Sequence, residues 1–111
     1  MITELQPPIN QRIQASPVQI AEFCQRWHII EFALFGSVLR DDFRPDSDID
    51  VLVTFAADSR WSLFNWVDMK EELEALFERK VDIADKEGLK NPYRRHEILQ
   101  THQVIYASKQ P

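Results

Sequence analysis

The sequence predicts one α/β domain: a small mixed sheet with helices packed on it. Three observations predict it. A compact apolar run, Ile29–Phe35, stops at a glycine and suits a buried strand. Residues 48–55 alternate between polar and apolar side chains, which is the period of a strand with two different faces. Helical spacing of apolar residues flanks both strands, and 111 residues are enough for one domain with its own core.

The first half of the chain divides at Ser16. Residues 1–15 are polar, contain Pro7 and Pro8, and are expected to be an extended N-terminal segment, so that the domain spans 16–111. Ser16 followed by Pro17 predicts a helix N-cap and first turn. After the strand Ile29–Phe35, a short helix is expected over residues 38–42, and then a turn at 44–46.

The second half alternates strands and helices. Asp48, Asp50 and Leu52 share one face of the strand 48–55, and the apolar Leu52 indicates that this face is covered. A long helix is expected over 59–78, with an apolar stripe toward the core and its acids on a solvated face. A short strand at 81–84, a helix at 92–100 and a strand at 104–107 complete the prediction.

Charge and composition exclude several classes of function. The net charge is −5 and the pI about 5.1, without the basic stripe of proteins that track nucleic acids, so direct nucleic-acid binding is not expected. The one cysteine, Cys24, cannot form an internal disulfide and is expected to be a small core residue. Nothing resembles a leader peptide or a membrane span, so we expect a cytoplasmic protein without membrane contact.

Gly36 and Ser37 are the candidate phosphate-binding residues. Glycine lets the backbone approach phosphate oxygens closely, and a helix opening at Ser37 would offer free amides to an anion. The pair does not belong to a P-loop, because no Gly-Lys-Ser/Thr follows. By itself, Gly-Ser is also what an ordinary strand-to-helix turn contains.

Asp48 and Asp50 are the candidate metal ligands. Two acids at positions i and i+2 of a strand point to the same face, where their oxygens can hold divalent metal. Asp82 is the candidate third ligand if its strand pairs beside 48–55. Three clustered carboxylates repel one another and raise the pKa of at least one, so a cation would stabilise the group.

Gly36-Ser37, a ten-residue gap and Asp48-Ile49-Asp50 resemble the signature of the polymerase-beta-type nucleotidyltransferase superfamily. The short chain, Arg40 and Val81-Asp82-Ile83 are most similar to the minimal nucleotidyltransferases, antitoxins that accompany HEPN ribonuclease toxins. The resemblance covers about residues 29–84 and leaves the first fifteen residues out.

The resemblance implies a role for each matching position. Asp48, Asp50 and Asp82 would be the catalytic metal ligands, with Asp82 also a candidate base. Gly36 and Ser37 would hold the triphosphate, and Arg40 would either neutralise phosphate charge or be an exposed surface arginine. The implied cofactor is Mg²⁺, and ATP is the implied substrate.

The implied function is that of an antitoxin that transfers AMP to a hydroxyl, by analogy a tyrosine hydroxyl, of a cognate HEPN toxin with which it forms a hetero-oligomer. Little chain follows the last predicted strand, so we expect another protein to present the acceptor. Two alternatives stay open: neutralisation by binding alone, and transfer to a small molecule or an RNA end. Some aromatic residues are candidates for a docking surface, although core packing is the simpler expectation for each: Trp61, Phe64, Tyr93 and Tyr106.

Overall fold

The computed structural model describes residues 5, 7 and 9–108. These residues contain four helices and four strands, with a 3-10 turn after β1 and another after β3. In chain order they are α1 (Ile9–Arg12), α2 (Pro17–Arg26), β1 (Ile29–Phe35), the turn Gly36–Leu39, β2 (Ile49–Phe55), α3 (Leu63–Phe77), β3 (Val81–Asp85), the turn Lys86–Gly88, α4 (Pro92–Thr101) and β4 (Gln103–Ala107).

The strands form one mixed sheet in the order β3-β2-β1-β4. β1 is antiparallel to both β2 and β4, and β2 is parallel to β3. The parallel pair needs a crossover, which α3 provides. The predicted fold class, a small α/β domain with a mixed sheet and packed helices, is confirmed.

One face of the sheet carries the larger core. Ile49, Val51 and Val53 of β2 are buried there in one cluster with residues of α2 and α3. Phe32 of β1 lies at the centre, fully buried, with its ring edge-to-face to Phe23 of α2 and Phe77 of α3. This face holds the sheet and two helices together through apolar burial.

The other face is covered by α4. Ala33, Phe35 and Leu52 form a second buried cluster with Ile98 of α4. The sequence-based expectation that the face of Leu52 is covered is therefore confirmed. Because Asp50 lies on the same face of the sheet as Leu52, α4 lies beside the Asp50 side chain.

Serine caps define the starts of two helices. Ser16 forms a capping box with Gln19 at the start of α2, as its sequence predicts. Ser62 forms another with Asn65, so α3 begins at Leu63 and not near residue 59 as expected. The side chain of Ser62 accepts from the Asn65 amide, which fixes that boundary.

The N-terminal segment differs from the extended chain that was expected over residues 1–15. Ile9–Arg12 form a helical turn, and Ile9, Ile13 and Ala15 are buried in the main core. Burial of these apolar side chains stabilises the packed segment, although its overall composition is polar. The part of that prediction on residues 1–4, 6 and 8 lies outside the described residues, and the domain boundary after residue 15 stays a prediction.

The prediction of a helix over residues 38–42 is also wrong. The chain forms one 3-10 turn, Gly36–Leu39, and Arg40 is already extended. The carbonyls of Val38 and Arg40, which an α-helix would use for its next turn, both accept from the Arg12 side chain instead.

Some surface assignments change as well. Phe64 and Tyr93 are 81% and 86% exposed, so core packing is wrong for these two, whereas Tyr106 is buried. On α3, the Glu72 carboxylate accepts a hydrogen bond from the Trp27 indole and forms an ion pair with Arg26. The Glu74 carboxylate accepts a hydrogen bond from the Val81 amide. Those two acids tie α3 to its neighbours and are not simply solvated.

Cys24 is buried and free, in agreement with its predicted core role, and burial raises the pKa of its thiol. In the described part of the chain, no helix is long and apolar enough to cross a membrane.

The aromatic centre predicts a large stability difference between two phenylalanines. Phe32→Ala should lower the free energy of unfolding by about 3–5 kcal/mol, because it empties the centre of the core. Phe64→Ala, at an exposed site, is the matched control and should change it by no more than about 0.5 kcal/mol. Urea unfolding measures both, and equal effects would contradict the packing described.

Candidate active site

The site begins where β1 ends. Phe35 pairs with Asp50 across the sheet, so the next residue, Gly36, lies directly against the Asp50 side chain. Gly36 has φ +78°, a left-handed conformation that favours glycine, and a Cβ built there would overlap Oδ2 of Asp50. Both the backbone angle and the space therefore require glycine at this position.

Strand pairing brings the second acid beside the first. In the parallel pair of β2 and β3, Asp50 is aligned with Asp82, so both residues lie side by side on adjacent strands. Asp48 directly precedes β2, and both Asp48 and Asp82 are exposed while Asp50 is half-buried. The register thus places Asp50 beside Asp82, and Asp48 lies two residues before Asp50 at the start of β2.

The three acids interact electrostatically. Burial raises the pKa of Asp50 above its ordinary value, and the charges of Asp82 and Asp48 raise it further. Arg94 and Arg40 act in the opposite direction. Asp50 is therefore the centre of the site, within electrostatic reach of two acids and two arginines.

A cleft of about 230 Å³ opens between the Gly36 turn and α4. Gly36 and Arg40 line it on one side, Arg94 of α4 on the other, and Asp50 lines it too. The rest of the lining is Phe35, Glu97, Ile98 and Thr101. Two carboxylates, those of Asp50 and Glu97, and two guanidinium groups line one small space, and this set of charges suits an anion that is accompanied by a cation.

The two arginines of α4 have different environments. Arg95 donates to the carbonyl of Lys86 and anchors the helix to the turn after β3. Arg94 is exposed and lines the cleft. On one side of the cleft, Arg40 forms an exposed ion pair with Asp42 at 3.1 Å.

Ser37 lies in the turn next to Gly36 and is half-buried. Because this turn has only four residues, the sequence-based picture of a helix N-terminus facing the anion does not apply. What remains is the close approach of backbone that Gly36 permits.

Asp48 lines a second cleft, of about 340 Å³, with Ser47, Arg79 and Lys80. Asp50 and Asp48 thus line two different clefts, one beside α4 and one beside the loop before β3.

Oxygen donors of this kind suit Mg²⁺, which prefers carboxylates. Within residues 5, 7 and 9–108, no three His, Cys, Asp or Glu side chains converge into a ready-made metal site. The mutual repulsion that raises the pKa of Asp50 is the feature that fits a cation, because a bound positive charge would relieve it.

Sequence reasoning missed the contribution of α4. Glu97 and Thr101 line the cleft although no motif marks them. The only available signal was the spacing of Arg94, Glu97 and Thr101 along one side of a predicted helix, which could not show what that side faces.

Comparison with known proteins finds similarity to nucleotidyltransferases. The nucleotidyltransferase domain family matches residues 18–105. Protein adenylyltransferase MntA of Thermococcus cleftensis is 37% identical over 70 residues, which are 63% of this chain and 69% of that protein.

Solved structures share the architecture. An inferred minimal nucleotidyltransferase is 33% identical and superposes with a TM-score of 0.63 over 76% of this chain and 83% of its own. A complex of a tri-AMPylated HEPN toxin with an MNT antitoxin from Shewanella oneidensis includes a chain with a TM-score of 0.60 and 17% identity. The match covers 83% of this chain and 70% of that one, and it shows the common fold alone.

Gly36→Ala should damage the site more than it damages the fold. The left-handed backbone should cost about 1–2 kcal/mol of stability, and the new methyl group must displace the Asp50 carboxylate. Gly88→Ala is the matched control, since its Cβ would meet only Asp85 Cβ at 3.7 Å. Thermal unfolding together with ATP binding checks this, and normal ATP binding by Gly36→Ala would contradict it.

Asp50→Asn should stabilise the metal-free protein at neutral pH. Because the pKa of Asp50 is raised in the folded state, its charged form opposes folding above that pKa. The gain should be full at neutral pH and should shrink as pH falls through the raised pKa toward the ordinary aspartate range. Thermal unfolding in EDTA across this range measures it, with Asp68→Asn on the exposed side of α3 as control. A pH-independent difference, or a destabilised variant, would contradict the electrostatic description.

Proposed function

Since this chain belongs to the nucleotidyltransferase domain family, we propose that it transfers AMP from ATP to a hydroxyl group of a partner toxin and thereby neutralises it. The observation that carries the proposal is the position of Asp50, held against Gly36 by one strand pair and beside Asp82 by the other.

The triphosphate is proposed to lie in the cleft between the Gly36 turn and α4. Gly36 lets phosphate oxygens approach the backbone, with Ser37 beside it. Arg40 and Arg94 flank the same cleft and would neutralise phosphate charge. The half-buried position of Asp50 keeps the reacting end of the nucleotide near the three acids.

Asp48, Asp50 and Asp82 are the residues proposed to hold Mg²⁺. When bound, the ion supplies charge neutralisation at the triphosphate. The carboxylates supply the ligands, and their repulsion in the metal-free protein means that metal and nucleotide should bind cooperatively.

In the proposed reaction, the acceptor hydroxyl oxygen forms a bond to the α-phosphorus. The bond from that phosphorus to the oxygen bridging to the β-phosphate breaks, and pyrophosphate leaves. The hydroxyl proton passes to a carboxylate of the site, and Asp82 is the residue proposed to accept it. The chain contributes mainly by holding both reactants in line.

The partner is proposed to be a HEPN-family toxin with a tyrosine as acceptor. MntA is named a protein adenylyltransferase, and the Shewanella oneidensis complex contains an AMPylated HEPN toxin. Both support the proposal by similarity. Because the proposed partner is a toxin that would act on RNA, we propose a cytoplasmic location for this chain.

Neutralisation by binding alone is the second candidate. Exposed apolar side chains on the first turns of α3 favour a protein contact independent of catalysis, since Leu63 and Phe64 are about four-fifths exposed. Such a contact is compatible with either function, so the two functions must be distinguished by substituting the acids of the site.

The deciding experiment combines the purified chain with a candidate HEPN toxin, ATP and Mg²⁺. Intact-mass spectrometry of the toxin should show one or more added AMP units. Asp50→Asn should lower the rate by about 100-fold or more, since it removes one of the acids at the reacting centre. Asp68→Asn is the matched control and should leave the rate unchanged.

Two results would contradict the proposal. An unmodified toxin that is nevertheless neutralised, by wild type and Asp50→Asn alike, would establish the binding-only alternative. AMP transfer to RNA or to a small molecule but not to the toxin would show that the acceptor class is wrong.

A further inference from the structure

The connection between the Gly36 turn and Asp48 contains no regular helix or strand, yet it must hold the two halves of the proposed site in register. Residues 40–48 follow the turn and lead into β2. Side chains from two distant parts of the chain, Arg12 and Arg79, contact this connection from outside it.

Arg12 of α1 holds the first half. Its Nη1 donates to the carbonyl of Val38 at 2.9 Å and to the carbonyl of Arg40 at 2.7 Å. Both acceptors lie at the end of the turn that begins with Gly36. The guanidinium therefore fixes the backbone directly after the proposed phosphate-binding residues.

Arg79, in the loop between α3 and β3, holds the second half. Its Nη1 donates to the carbonyl of Arg44 at 3.1 Å and to that of Ser47 at 2.8 Å. Ser47 directly precedes Asp48, and after Asp48 the backbone amide of Ile49 donates to the carbonyl of Lys80. The hydrogen bonds from Arg79 therefore fix the backbone directly before the proposed metal ligands.

Phe43 joins the two arginines. The Arg12 guanidinium lies over its ring at 5.1 Å from the centroid, and that of Arg79 at 4.3 Å. Cation–π attraction thus links the middle of the connection to both arginines. Within the described residues, neither guanidinium forms an ion pair with a carboxylate, and both donate hydrogen bonds to backbone carbonyls instead.

We propose that Arg12, Phe43 and Arg79 are positioning residues, a clamp that sets the distance between the Gly36 turn and Asp48 for AMP transfer. The inference rests on the proposed function for its catalytic consequence. Small displacements between reacting groups are costly, because orientation supplies a large part of the rate. The clamp also gives the N-terminal residues before Ser16 a role at the site.

The experiment compares Arg12→Gln, Arg79→Gln and Phe43→Leu with the conservative Phe43→Tyr, which keeps the aromatic face. Arg26→Gln is the matched control, because Arg26 pairs with Glu72 on α3 and touches none of these groups. Three quantities are measured: the melting temperature, kcat and KM for AMP transfer at a temperature where every variant is folded, and hydrogen exchange over residues 36–48.

The three clamp variants should lose kcat by about 10-fold or more at saturating ATP, since the reacting groups lose their alignment. Exchange should increase over 36–48 while β1 stays protected. Phe43→Tyr should keep most of the rate, and Arg26→Gln should keep both the rate and the exchange pattern of 36–48.

Variants that melt earlier but keep wild-type kcat would overturn the clamp and leave only a structural role. Exchange that rises throughout the chain, or not at all over 36–48, would overturn it as well. If wild type transfers no AMP, the proposed function fails. A local increase of exchange in the variants would then still support the clamp as the device that orders this connection.

Discussion

The close approach of the Asp50 carboxylate to Gly36 is the constraint on which the site depends. It requires a residue without Cβ at the end of β1, and it is set by the antiparallel pairing of Phe35 with Asp50. The parallel neighbour places Asp82 beside the same carboxylate. One half-buried acid is therefore fixed by two strand pairs, and its charge carries an energetic cost in the metal-free chain because burial and neighbouring acids both oppose ionisation.

The two faces of the sheet have different tasks. The face toward α2 and α3 provides most of the apolar burial, centred on Phe32, and so supplies the stability that a strained polar site needs. The face toward α4 buries only a small cluster around Leu52 and then opens into the cleft beside Asp50. Helix α4 thus covers the small cluster and lines the cleft, and its packing brings Arg94 to the cleft, whereas Arg95 donates to the carbonyl of Lys86.

Rigid elements alone do not complete the site. The backbone between Leu39 and Ile49 belongs to no helix or strand. Carbonyls of this segment accept hydrogen bonds from the guanidinium groups of Arg12 and Arg79, which lie outside it. Side chains that bond carbonyls can order a loop as effectively as a helix would, without fixing it in a helical geometry. In this chain the Arg12 side chain takes up carbonyls that the expected helix at 38–42 would use, and its hydrogen bonds tie α1 to this turn in addition to the burial of Ile9.

The sequence by itself determined the strands, most helices, the α/β class and the family, since apolar periodicity, serine caps and the spacing of Gly36, Asp48 and Asp50 are all local signals. Only the tertiary structure decided that Asp82 stands beside Asp50, that Arg94 enters the cleft and Arg95 does not, and that Arg12 reaches the turn. Each of these depends on strand order or on the packing angle of a helix. Neighbours of that kind are far apart in sequence, and no periodicity along the chain encodes which of them meet.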